Sequence, residues 1–149
     1  SSKYNNYNGN LLREYDNISN TILDNNSFKD IILTFNNIVS KEFNKENNYI
    51  QIHKIRVYAN KNSTDLIPEG IHQDGFNMIA ICCISRKNIT GGVSRIYDKD
   101  KNIIYSKQLQ EGEMIIINDI KNYHDVTNIK LIDKEKVGYR DIIVLTTIG

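Results

Sequence analysis

Two cysteines, one proline and three histidines are all that this 149-residue chain holds of those residue types. The cysteines are adjacent, Cys82 and Cys83, inside an apolar stretch. Neighbours on a strand point to opposite faces, so the pair is not placed to bridge and reads as two buried free thiols in a reducing compartment. Neither sign of charge is in excess, with 19 basic against 18 acidic side chains and no long basic block. That excludes the electrostatic footprint of a nucleic-acid binder and leaves a small molecule or a protein as the expected substrate. No apolar run approaches the roughly 18 residues of a membrane span, and no signal peptide opens the chain. A soluble, cytoplasmic protein with no membrane partner is expected. Internal repeats and low-complexity linkers are missing too, which leaves one domain over residues 1–149 as the reading. A chain of this size buries roughly 68–70% of the surface its unfolded form exposes, enough for a core without staples.

What is present falls into two textures. Residues 1–25 are polar and rich in asparagine, with Tyr4, Tyr7, Leu11, Leu12 and Tyr15 as scattered packing points, and predict irregular structure. From 26 to 43, Phe28, Ile31, Ile32, Phe35, Ile38 and Val39 recur at the spacing of one helical face, with Asn26 or Ser27 as the N-cap. Beyond Asn48 the chain becomes short β-branched and aromatic segments separated by turn residues. Eight strands are predicted, over 49–59, 70–74, 76–85, 92–98, 102–109, 113–118, 123–129 and 139–148. The polar stretch 60–68 ending in the lone Pro68, the pair Gly91-Gly92 and the run 98–102 supply the breaks. Eight such strands imply a sandwich or barrel. Nearly continuous apolar runs at 113–118 and 142–145 imply strands covered on both faces, in a sheet backed by the helix. The fold class is mainly β with a flanking helix, with residues 49–149 as the barrel core.

The scarce histidines carry the chemistry. His72 and Asp74 stand two apart in Glu69-Gly-Ile-His-Gln-Asp-Gly75, directly before an apolar run. In an extended segment positions i and i+2 project the same way. The two side chains then meet as a neutral hydrogen-bonded pair, a catalytic dyad, or two ligands of a metal. His124, after the apolar sixth segment, offers a third donor. Two histidines and one carboxylate on one face of an octahedron suit ferrous iron and leave positions open for substrate and oxygen. Zinc more often recruits three histidines or a helical HExxH, and no structural-zinc cysteine spacing exists here. Arg140, in Gly138-Tyr-Arg-Asp141, enters an otherwise apolar strand. A guanidinium there is costly unless an anion meets it, and its planar fork fits a carboxylate. On its own such an arginine is more often a surface ion pair; its place after His72-x-Asp74 and His124 favours a carboxylate anchor.

The order His72-x-Asp74, His124, Arg140 on an eight-stranded β-domain resembles the iron(II)/2-oxoglutarate-dependent dioxygenases. Their fold is a double-stranded β-helix of the jelly-roll or cupin-like kind. Wider stretches are similar to the branch of bacterial free-amino-acid hydroxylases such as L-isoleucine 4-hydroxylase. These are Ser2-Lys-Tyr-Asn5 with Asn8-Gly9, Pro68 to Gly75, Gly91-Gly-Val-Ser-Arg-Ile-Tyr-Asp98, and Gly138-Tyr-Arg-Asp141. Family members usually carry more sequence ahead of the stretch matched by Ser2, which implies a trimmed fragment or a short member. The resemblance makes His72, Asp74 and His124 the Fe(II) ligands and Arg140 the anchor of the 2-oxoglutarate co-substrate. It implies hydroxylation of an aliphatic C–H bond of a small substrate, a free L-amino acid, with release of succinate and CO2. Asp74 argues against halogenation, which needs a small residue in its place. Many relatives place a serine two residues after the arginine; here that position is Ile142, so a second partner for the far carboxylate stays unassigned.

Other polar groups have plainer readings. His53 reads as a packed or half-exposed strand residue rather than a ligand. Arg95 and Glu69 are candidates for the carboxylate and amine of a zwitterion, against the ordinary reading of solvated or paired charges, and Arg56 is undecided. A dioxygenase acting on a peptide side chain or a secondary metabolite, a non-oxidative metal-dependent cupin enzyme, and a barrel that only binds a ligand are the alternatives.

Overall fold

Phe28, Phe35 and Val39 lie on one face of a helix that spans Asn26–Phe43, and that face is what the protein buries. The computed structural model describes residues 16–46, 48–59 and 70–148. Within them, α1 (Asn20–Leu23) is a single short turn where irregular structure was expected, and α2 is the Asn26–Phe43 helix. The α2 N-cap is Asn25, one residue before the expected position, and its side chain accepts the main-chain N–H of Phe28 at 3.1 Å. At the other end Asn44 takes the left-handed conformation that closes helices. Asn48 then ties the start of the barrel to α2, donating to Asn36 Oδ1 and Ser40 Oγ at 3.1 and 3.0 Å.

The strands are β1 (Tyr49–Tyr58), β2 (Met78–Lys87), β3 (Ile89–Gly91), β4 (Val93–Tyr97), β5 (Ile103–Gln108), β6 (Met114–Asn118), β7 (Tyr123–Val126), β8 (Ile129–Leu131) and β9 (Tyr139–Ile148). All pair antiparallel, in a four-stranded sheet β1-β9-β2-β6, a three-stranded sheet β5-β4-β7 and a small β3-β8 ribbon. This is the double-stranded β-helix that the family resemblance implied, and the segment pattern expected as a sandwich or barrel departs from it in three places. The expected strand 70–74 is a loop whose one strand pairing among the described residues is an isolated bridge between His72 and His124. The expected strand 123–129 divides into β7 and β8. Residues 89–91 form a strand of their own, because Gly91 and Gly92 both hold positive φ and turn the chain twice.

Alternation along β2 shows why the helix sits where it does. Met78, Ala80 and Cys82 face α2 and pack with Ile143 and Leu145 of β9 against Phe28, Phe35 and Val39. Cys83, on the opposite face, packs with Leu109, Ile115 and Ile117 between the two sheets. Both thiols are buried and free, as their adjacency required. Each fully buried Phe, Leu or Ile in these layers stabilises the fold by about 1.5–3 kcal/mol relative to exposure. Ile38, expected on the packed face of α2, is 39% exposed at its margin. No described helix is long and apolar enough to cross a membrane.

Candidate metal centre

The main chain brings His72 and His124 together first. Each donates its N–H to the other's carbonyl, at 3.0 and 2.9 Å, and the rings lie 4.5 Å apart between centroids. Beyond His72 the chain could have continued as a strand, but its next N–H groups find a different acceptor. Those of Asp74, Gly75 and Phe76 all point to the carboxylate of Asp119, at 3.0, 2.8 and 3.0 Å to Oδ2. Gly75 permits this curl by adopting φ 87°. The convergence of His72 and Asp74 is therefore the work of a carboxylate-centred loop, which corrects the expectation of a regular strand.

Asp74 ends between the two imidazoles. Its Oδ1 is 3.4 Å from His72 Nε2 and its Oδ2 3.4 Å from His124 Nε2. One ligand atom from each of His72, Asp74 and His124 can be chosen so that all three lie within 4.8 Å of one another, a group able to hold a metal ion. The outer nitrogens are engaged in ways that suit such a role. His72 Nδ1 lies 2.9 Å from the carbonyl of Gly70, and His124 Nδ1 faces Asp119 Oδ1 at 3.5 Å, long for a hydrogen bond. An imidazole whose Nδ1–H points to a carbonyl or carboxylate keeps the Nε2 lone pair free for a cation.

Electrostatics agree. Burial works against charge on Asp74, yet hydrogen bonds from His124 and His72 hold its carboxyl well below the usual range. Burial likewise opposes a proton on His124, but Asp119 and Asp74 raise its pKa to about 9. His72 is raised as well, with burial opposed by Asp74 and the Gly70 carbonyl. The centre draws positive charge, as a proton or as a metal.

The triad opens on a cavity of about 340 Å³. Its walls are mostly apolar, from Ile55, Phe76, Ile79, Ile81, Val126 and Val144, with His53 and Thr146 among the polar contributors. A larger hollow of about 480 Å³ lies between residues 16–22 and β1, away from the triad. No further set of metal-ligating side chains accompanies it among the described residues.

Arg140 is 5% exposed, near the start of β9. Its Nε and Nη2 are buried with no hydrogen-bond partner among the described residues. Among the described residues it makes no ion pair; the salt bridge there belongs to its neighbour, Asp141, which receives Arg56 through two bonds of 2.7 Å. Burial, with repulsion from Arg86, lowers the pKa of Arg140. Such a guanidinium fits a carboxylate that comes from outside the chain.

Of the remaining candidates, Arg95 is committed to Asp125 through a bidentate pair, with Tyr97 Oη on the same carboxylate at 3.0 Å. That is the ordinary paired reading and leaves its fork unavailable to a zwitterion. Glu69 lies outside the described residues, as do the expected packing points before residue 16 and the 60–68 loop. His53 is half-buried and lines the cavity without joining the ligand cluster. Sequence reasoning missed Asp119 and Arg86. A carboxylate straight after the apolar sixth strand was the available signal for Asp119. For Arg86 there was little, since the expected strand stopped at 85.

The 2OG-Fe dioxygenase family model matches residues 1–146. Among curated proteins nothing matches. Among solved structures the chain is similar to a bsmA homolog from Methylobium petroleophilum PM1, with 24% identity, a TM-score of 0.81, and 92% of this chain and 56% of that one covered. It is similar to IDO from Bacillus thuringiensis at 20% identity and a TM-score of 0.76, covering 91% of this chain and 66% of that one. The Fe(II)/(alpha)ketoglutarate-dependent dioxygenase TqaL aligns at 14% identity and a TM-score of 0.79, over 93% and 58% of the two chains. At these identities the likeness speaks for the fold. The chain spans 56% to 66% of the length of these solved relatives.

Proposed function

The chain belongs to the 2OG-Fe dioxygenase family, and on that premise we propose that it is an Fe(II)- and 2-oxoglutarate-dependent hydroxylase of a small aliphatic substrate. His72, Asp74 and His124 hold the metal, and Arg140 holds the far carboxylate of 2-oxoglutarate. The observation that carries the reading is the convergence of three ligand atoms within 4.8 Å, from a loop and a strand joined by an isolated bridge between His72 and His124.

The residues suit both groups. Asp74 supplies negative charge between two imidazoles whose outer nitrogens face Gly70 and Asp119, so both Nε2 atoms are presented to a cation. Arg140 keeps Nε and Nη2 unpartnered in the interior, a donor pair matched to a carboxylate. Iron held by these residues would supply oxygen activation, with one atom of O2 going to a substrate C–H bond and the other to 2-oxoglutarate, which would leave as succinate and CO2. The chain's own contribution is position. Ile79, Ile81 and Val144 wall the triad with apolar surface suited to grip an aliphatic side chain. The same lining, in a cavity of about 340 Å³, supports a free aliphatic L-amino acid as substrate.

The test is purification under nitrogen with ferrous iron, followed by a screen of free amino acids for substrate-dependent succinate. The expected result is succinate with an aliphatic L-amino acid, and a mass gain of one oxygen atom on that substrate. Oxygen gained by a peptide or another metabolite instead overturns the substrate class. Absence of succinate with every substrate, in protein shown to carry iron, overturns the activity.

A further inference from the structure

Arg86 and Arg140 stand directly opposite each other, on β2 and β9. Like charges in that relation repel, and a buried guanidinium is costly unless an anion and hydrogen bonds meet it. Among the described residues neither guanidinium forms a salt bridge with a carboxylate, and the nearby Glu111 accepts the main-chain N–H of Arg86 at 2.9 Å. Arg86 donates Nη2 to the carbonyl of Gly91 at 2.7 Å, which fixes the direction of its fork. Its Nη1 is left buried with no hydrogen-bond partner, like Nε and Nη2 of Arg140. The two strands thus hold two guanidiniums side by side, with Gly92 packed against both. A Cβ there would sit 2.9 Å from Ile129 Cγ2, 3.3 Å from Arg86 Nη1 and 3.7 Å from Arg140 Cδ.

We propose that Arg86 is a second cationic partner of the 2-oxoglutarate far carboxylate, so that one guanidinium from β2 and one from β9 clasp the same group. The inference rests on the reading of Arg140 given above and extends it. Ile142, two residues beyond Arg140, brings no donor, and the three unpartnered nitrogens are what a carboxylate with about four lone-pair sites can accept. The arrangement also selects. A keto acid that lacks the second carboxylate leaves the buried guanidinium of Arg140 opposed to the half-buried one of Arg86, whereas a dicarboxylate neutralises them together.

The experiment compares two ligands of equal chain length, 2-oxoglutarate and 2-oxovalerate, the latter without the far carboxylate. Each is titrated into the iron-loaded chain under nitrogen and followed by visible absorption, in wild type, Arg86→Gln, Arg86→Lys, Arg140→Gln and the Arg86→Gln/Arg140→Gln double variant. Arg86→Gln is expected to weaken 2-oxoglutarate by about thirtyfold or more and to leave 2-oxovalerate within about twofold. The double variant is expected to lose less than the product of the single losses, because the residues share one group. Arg86→Lys, which keeps the charge without the fork, is expected to fall between, and guards against a folding defect in the glutamine variant. Equal weakening of both ligands, or of neither, assigns Arg86 to bracing Gly91 and overturns the inference while the proposed activity stands. Wild-type protein that carries iron and binds 2-oxoglutarate no better than 2-oxovalerate overturns the reading of Arg140 and this inference with it.

Discussion

Asp119 lies on the far side of the His124 ring from Asp74, with Oδ1 at 3.5 Å from Nδ1. The same carboxylate accepts three main-chain N–H groups of the loop that carries Asp74. One buried side chain therefore orients a proposed ligand and shapes the segment that supplies another. Asp119→Asn keeps the size and an oxygen for the loop but removes the charge behind the imidazole. Its ferrous affinity is expected to fall by about 10–100-fold, the usual effect of removing such a partner. A metal titration at limiting iron measures this; unchanged affinity would limit Asp119 to the loop.

Direct loss of a proposed ligand is expected to be harsher. His124→Ala is expected to abolish stoichiometric iron at concentrations that saturate the wild type, as read by elemental analysis. Retention of one equivalent at unchanged affinity removes His124 from the centre. Arg140→Lys, by contrast, is expected to keep its iron and to lose 2-oxoglutarate affinity, since a point ammonium cannot make two parallel hydrogen bonds.

The pair Arg56 and Asp141 gives a pH dependence away from the centre. The Arg56 hydrogen bonds hold the Asp141 carboxyl below its ordinary value of 3.8. A depressed carboxyl contributes stability above the unfolded value and loses it as pH falls through the lower folded one. The thermal midpoint of Arg56→Gln is therefore expected below that of wild type at pH 6, with the gap closing as the pH is taken beneath 3.8. A gap that persists unchanged to pH 2.5 would assign the effect to packing on Tyr139, whose ring centroid is 4.0 Å from the Arg56 guanidinium carbon.

Much of the fold was legible because period alone determines it. The 3.6-residue recurrence of Phe28, Phe35 and Val39 located α2, and the apolar run that includes Met78 to Cys83 located a buried strand. The three proposed ligands were legible because histidine is so scarce here. The means by which they meet was not. Asp119 acts on main-chain N–H groups, which carry no residue signature, so nothing in the sequence says that residues 74–76 bend toward it. Arg86 was hidden by the register shift between Cys83 and Ser85, which carries β2 past its expected end and turns the arginine toward Arg140. Arg95 was open to a substrate role because its partner, Asp125, becomes its neighbour only through the β4-β7 register.

Packing on the helix side gives a plain mutational contrast. Phe35→Ala, at a fully buried position in the α2 interface, is expected to cost about 3–5 kcal/mol of unfolding free energy. Ile38→Ala, on the exposed margin of the same helix, is expected to stay within about 0.5–1 kcal/mol of wild type. Denaturant unfolding of the two variants checks the orientation of α2.

Cys82 and Cys83 sit one residue apart yet report on opposite sides of a sheet, the first against α2 and the second in the interior with Arg140. Isotope-labelled cysteine would thus give a matched pair of spectroscopic reporters, with no substitution required. If Arg140 holds a dicarboxylate as proposed, its arrival is expected to shift the signal of Cys83 and leave that of Cys82 in place, and loosening of the helix to do the reverse. Ligand occupancy and helix docking can then be followed separately, in one spectrum of the unaltered chain.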